Sequence, residues 1–157
     1  MSKSLSRVRA ALQAAGTVPR IHETGNARTA LDAATAVGCQ LDQIVKSIVF
    51  EGAASGAIVL FLTAGSRQVD TELAAALAGE ALNRAEADRV RARTGFAIGG
   101  VSPIGHLSRP RAFMDPSLME FPLVWAAAGT PRHVFAIEPK KLAILAKAKC
   151  AGFTTKT

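Results

Sequence analysis

Apolar positions along the chain fall into blocks of two periods. Within residues 4–15, Leu5, Val8 and Leu12 recur at helical intervals and Gly16 follows as a stop, which predicts an amphipathic helix. An Ala-rich helix is expected over 28–37, ended by Gly38. The pattern then changes to Gln43-Ile-Val-Lys-Ser-Ile-Val-Phe50 and Ala57-Ile-Val-Leu-Phe-Leu62, two β-branched strands joined across the Gly/Ser stretch 52–56. Their weak polar alternation predicts a hairpin buried on both faces. Asp70 is placed to cap a helix over 71–78, and 85–93 reads as a helix that is basic on one side.

Thr94-Gly-Phe-Ala-Ile-Gly-Gly-Val-Ser-Pro-Ile-Gly-His106 reads as a strand fragment breaking into a loop dense in glycine and proline. Residues 112–115 and 123–128 read as strands, 129–132 as a turn and 133–137 as the returning strand. Pro139 suits the first turn of a helix over 139–147, and 150–157 reads as a loose tail. No repeat or linker interrupts the order. The expectation is one α+β domain over 1–157, core about 5–147, with a mixed β-sheet flanked by helices.

Composition narrows the function classes. No apolar run approaches the ~18 residues of a membrane span, and residues 1–7 lack the apolar segment of a secretory signal. Cys39 and Cys150 are too few for a disulfide framework, so a reducing cytoplasm is expected. Residues 1–88 hold eight Lys/Arg against nine Asp/Glu, whereas 89–157 hold eleven against three. A basic half on a neutral half suits a surface that meets a polyanion, though an ordinary solvated surface would read the same way.

Two positions stand out chemically. Lys46 lies within an apolar strand and by period 2 shares a face with Ile44, Ile48 and Phe50. An ammonium there needs solvent, a partner or a ligand, and snorkelling to the strand edge is the bland alternative. The loop Gly99-Gly-Val-Ser-Pro-Ile-Gly105 would let a ligand approach main-chain N–H groups, or would simply form a tight turn. His22, His106 and His133 form no metal-binding pattern, and no serine sits in a nucleophile elbow. Asp115 before Pro116 is explained by turn formation, and Trp125 reads as core.

The order of the Ala-rich helix, Gln43-Ile-Val-Lys46-Ser, Gly99-Gly-Val-Ser-Pro103 and Ala128-Gly129 resembles the bacterial YbaK/EbsC family, relatives of the editing domain inserted in prolyl-tRNA synthetase. The resemblance covers about residues 5–147. It implies hydrolysis of the ester that joins a wrong amino acid to the 3′ ribose of tRNA, in trans to the synthetase. The family's lysine falls on Lys46, its Gly-x-x-x-Pro loop on Gly99 to Pro103, and its late turn glycine on Gly129. Lys46, Gly99 and Gly100 are then the expected catalytic set, with Pro103, Ser102, Gly129, His133 and His22 contacting substrate. No cofactor or metal is expected. The expected partner is the aminoacylated acceptor end of tRNA, with an aminoacyl-tRNA synthetase as a second candidate. Ala127 and Val134 stand where some cysteine-specific members carry Ser and Asp, so those roles do not transfer. The rival reading is a module on the same fold that binds tRNA or a synthetase without hydrolysis.

Overall fold

The two central apolar runs do form a hairpin in the computed structural model, which describes residues 2–156. Strands β2 (Ile44–Gly52) and β3 (Ile58–Ala64) pair antiparallel, from Val45 opposite Ala64 to Glu51 opposite Ile58. Every β3 residue is buried, which explains its lack of polar alternation. Around the hairpin lie β1 (Ile21–Glu23), β4 (Arg67–Val69), β5 (Leu82–Arg84), β6 (Arg111–Met114), β7 (Val124–Ala127), β8 (His133–Ile137), β9 (Ala148–Cys150) and β10 (Thr154–Lys156). The main sheet runs β1-β8-β7-β2-β3-β6-β9, with β5 also paired to β2; β4 and β10 pair separately. The β2–β7, β3–β6 and β6–β9 pairs are parallel and the others antiparallel, so the sheet is mixed.

Five helices cover it: α1 (Lys3–Ala14), α2 (Ala30–Val37), α3 (Thr71–Ala78), α4 (Ala87–Thr94) and α5 (Pro139–Ala146). Leu5, Val8 and Leu12 of α1, Val90 of α4 and Leu142 of α5 join Val45, Leu60, Leu62 and Phe135 in the larger core. The opposite residues of the hairpin, Ile48, Phe50, Val59 and Phe61, pack with Ala74, Phe113 and Phe153. A third small cluster joins Ala33 and Ala34 of α2 to Ile44 and Trp125. Thr29 caps α2 through its hydroxyl, and Asp70 caps α3 through its carboxylate.

Three readings change. Residues 94–99 form no strand: α4 runs to Thr94, whose hydroxyl donates to the Val90 carbonyl and accepts from the Phe96 N–H. The tail is ordered through residue 156 rather than loose from 150, because Phe153 is fully buried and β10 pairs with β4; Thr157 lies outside the described residues. Five three-residue strands, β1, β4, β5, β9 and β10, carry no readable period of their own.

Candidate functional site

The sheet is incomplete beside Lys46. On one side β2 pairs with β3 throughout residues 45–51. On the other, β7 reaches only Ile44 and Val45, and β5 only Phe50 to Gly52. A cleft of about 410 Å³ opens along this break. Its walls are residues 44–48 of β2, Gly99 and Val101, the turn residues Thr130 and Pro131, His133 and Val134, and Ala30, Ala33 and Trp125.

Period 2 puts Lys46 on the face of Ile48 and Phe50, as expected, and the structure places that face away from the larger core. Its Nζ donates to the Arg67 carbonyl at 2.5 Å. Burial lowers the pKa of this half-buried ammonium, while Asp42 and Asp115 oppose that shift. An ammonium has three donors, so the bond to Arg67 leaves others for a ligand. Asp42 is held in its charged form chiefly by the Ser66 side chain, and it also accepts from the Ser66 N–H at 2.8 Å. Asp115 is 1 % exposed and accepts from Ala64 N–H and from the N–H and hydroxyl of Ser117. It therefore does more than end a strand: it anchors the end of β3 beside Lys46.

Gly99 lines the cleft, and its N–H has no hydrogen-bond partner among the described residues. Gly100 does not line it. Its N–H donates to the Ala97 carbonyl at 3.0 Å, and a Cβ there would lie 2.8 Å from the Thr130 main chain. Gly100 is the contact that lets the glycine loop and the 129–132 turn close on one another. Ser102 is buried, with its hydroxyl accepting from Ile104 N–H and its carbonyl 2.5 Å from His106 Nε2. Pro103 lines a separate recess between the end of α1 and the end of α5, sharing no residue with the cleft. Gly129, at φ +98°, would bring a Cβ to 2.6 Å from the Ser4 carbonyl, so it seats the turn on α1.

His133 lies at the cleft with Nδ1 2.6 Å from Thr130 Oγ1 and Nε2 3.4 Å from Glu23 Oε1. Thr130 Oγ1 also accepts from Arg132 N–H. A proton on Nε2 gives Glu23 a donor and leaves Nδ1 to accept from the Thr130 hydroxyl. His22 sits outside the cleft, its ring edge-on to Trp125 at 5.1 Å.

Lys46, Gly99 and His133 thus meet at one cleft, while Gly100, Ser102, Pro103, Gly129 and His22 stand behind or beside it. Sequence reasoning missed Ser47, Thr130 and Arg28; Trp125, read as core, does pack with Ala33, Ala34 and Ile44 and is also part of the wall. The Thr130-x-x-His133 spacing was the one available signal, since a turn can bring its third neighbour back into reach. Among the described residues no cluster of His, Cys, Asp and Glu could hold a metal, and no helix is long and apolar enough to cross a membrane.

The model of the aminoacyl-tRNA editing domain matches residues 24–145. The uncharacterized protein YwhH of Bacillus subtilis (strain 168) is 32% identical over 120 residues, 76% of this chain and 75% of that protein. Among solved structures, a candidate trans-editing enzyme for prolyl tRNA synthetase is 43% identical, with TM-score 0.92 and 99% of each chain covered. A scaffold protein from work on computational epitope grafting is 41% identical over the whole of both chains, also at TM-score 0.92. The hypothetical protein APE2540, 23% identical at TM-score 0.86 over 95% of this chain and 99% of its own, shares the fold. With the domain model spanning most of its length and the cleft built at the break beside Lys46, the chain belongs to the aminoacyl-tRNA editing domain family, in its YbaK-like group.

Proposed function

We propose that this protein is a trans-editing deacylase, which hydrolyses the ester between a mischarged amino acid and the 3′ ribose of tRNA. The observation that carries this reading is the cleft itself. A half-buried lysine and a glycine whose N–H has no partner among the described residues line one recess at a break in the sheet, beside a histidine tied to a threonine. An aminoacyl ester is already activated, so a positioned water and a stabilised oxyanion suffice without a protein nucleophile.

In the reaction, a water oxygen bonds to the ester carbonyl carbon and the bond from that carbon to the ribose oxygen breaks. One water proton ends on the ribose oxygen, and the acid released loses its own proton to solvent. Lys46 holds the terminal adenosine's phosphate or the substrate carbonyl in place through its free N–H donors. Gly99 N–H donates to the developing oxyanion, and Gly100 sets the spacing of that loop from the turn. His133 contacts the substrate at the cleft mouth. Ser102, Pro103 and Gly129 support the loop and turn from behind, and His22 supports Trp125. No cofactor or metal takes part in this scheme. The basic half docks the tRNA backbone, and a prolyl-tRNA synthetase is a candidate companion, given the 43% identity to a candidate trans-editing enzyme for that synthetase. The cytoplasm, where tRNA is charged, is the proposed location.

The test is the purified protein against a panel of mischarged tRNAs, scored by ester loss. Rapid loss from at least one member supports the reading. Binding of tRNA without ester loss from any member would show a non-catalytic binding module instead.

A further inference from the structure

The break in the sheet leaves main-chain groups pointing into the cleft, and their identity follows from register. Gly52 N–H donates to the Ala57 carbonyl on the β3 side, while Ala53 N–H donates to the Ala81 carbonyl on the β5 side. Both groups of a strand residue point the same way and successive residues alternate. The unbroken β2–β3 register therefore sends the N–H and C=O of Lys46, Ile48 and Phe50 to β3. Those of Val45 face β7 and those of Glu51 face β5. Ser47 and Val49 lie between, opposite neither strand, and their main chains face the break; of the two, Ser47 lines the cleft and Val49 packs against the larger core. The Ser47 side chain adds an independent sign of a missing partner, for its Oγ is buried and makes no hydrogen bond among the described residues. Ser47 also lines the same cleft as Lys46 and Gly99.

We infer that the aminoacyl group of the substrate binds as a one-residue strand opposite Ser47. This rests on the proposed deacylase reading and adds a binding element to it. In a hydrogen-bonded antiparallel pair two residues exchange both main-chain bonds. A free aminoacyl ester has the groups for one such exchange. Its α-amino N–H donates to the Ser47 carbonyl, and its ester carbonyl accepts from the Ser47 N–H. The second contact places a fixed donor on the oxygen that gains charge when water attacks, in the cleft that Gly99 also lines. Residues opposite one another share a face of the sheet, so an L-aminoacyl side chain lies on the Ser47 side-chain face and away from Lys46. Lys46, on the other face, is left for the nucleotide.

The test removes one donor. The α-hydroxy analogue of serine incorporated at position 47 replaces the amide N–H with an ester oxygen and keeps the side chain. The substrate is the mischarged tRNA that the wild-type protein cleaves fastest. Single-turnover deacylation should fall by about 10²-fold or more, the usual effect of losing one oxyanion donor, with the melting temperature nearly unchanged. The same replacement at Ile48, whose N–H is spent on β3, should lower the melting temperature instead. Hydrolysis at the wild-type rate by the position-47 ester variant overturns the pairing and leaves the deacylase reading standing. A wild-type protein that cleaves no member of the panel overturns both.

Discussion

Lys46 carries a charge where its strand neighbours Val45 and Ile44 are buried, and three groups compensate: the Arg67 carbonyl, Asp42 and Asp115. That compensation is incomplete, because burial still lowers its pKa from the ordinary 10.5. Between the lowered folded value and 10.5 the unfolded chain binds more protons, so wild-type stability rises with pH across that window. Below the folded value the cost of the buried charge is present in full. Lys46→Met should therefore lack this rise, as paired thermal melts on the alkaline side would reveal. Lys46→Ala should lose about 10²-fold or more in single-turnover deacylation while remaining folded. Lys46→Arg should restore little, since a planar guanidinium does not reproduce a compact ammonium at the Arg67 carbonyl. Wild-type turnover by Lys46→Ala would falsify the proposed site.

The glycine loop and the 129–132 turn act as a pair of elements closing one cleft. Gly100→Ala places a methyl against the Thr130 main chain, which cannot retreat as a flexible side chain would. We expect it to cost about 1–3 kcal/mol of stability, the range for overpacking, and to slow deacylation by separating loop from turn. A melt and rate both equal to wild type would mean that the two elements yield independently. Behind the loop, His106 holds the Ser102 carbonyl through Nε2, and Arg7 donates to the Gly95 and Gly105 carbonyls. Burial depresses the His106 pKa below 6.5, with the Arg7 charge acting in the same direction. The unfolded histidine then protonates first as pH falls, so stability is full above 6.5 and declines towards the folded pKa. His106→Gln keeps a donor for Ser102 and should flatten that acid-side decline, measured as denaturation midpoint against pH.

Across the whole molecule the charge of +7 is unevenly available. Arg89 pairs with Glu51, which is 8 % exposed, and Arg93 donates to the Gly56 carbonyl at 2.5 Å. Arg91, exposed on the same helix, has no side-chain partner among the described residues. Arg91→Glu should weaken tRNA binding at unchanged stability, whereas Arg89→Glu should also destabilise by stranding Glu51. Wild-type affinity should fall steeply with salt as counterions are released, and a flat dependence in a titration would refute a phosphate-docking surface. At the other end of the chain, Phe153→Ala should cost about 3–5 kcal/mol in chemical denaturation, because its ring packs edge-on to Phe61 at 4.9 Å within the second core. The helices, the β2–β3 hairpin and the unusual placement of Lys46 were legible in the chain, because period, capping residues and an out-of-place charge are local signals. The short strands were not, since three residues carry no period and pair only when tertiary neighbours present a free edge. The same holds for the cleft. Sequence order puts Gly99, Thr130 and His133 far from Lys46, and only the divergence of β7 from β2 before β5 begins opens the space in which they meet. Local propensity determined which segments could be strands and helices; the packing of distant segments decided which main-chain groups were left unpaired beside the cleft.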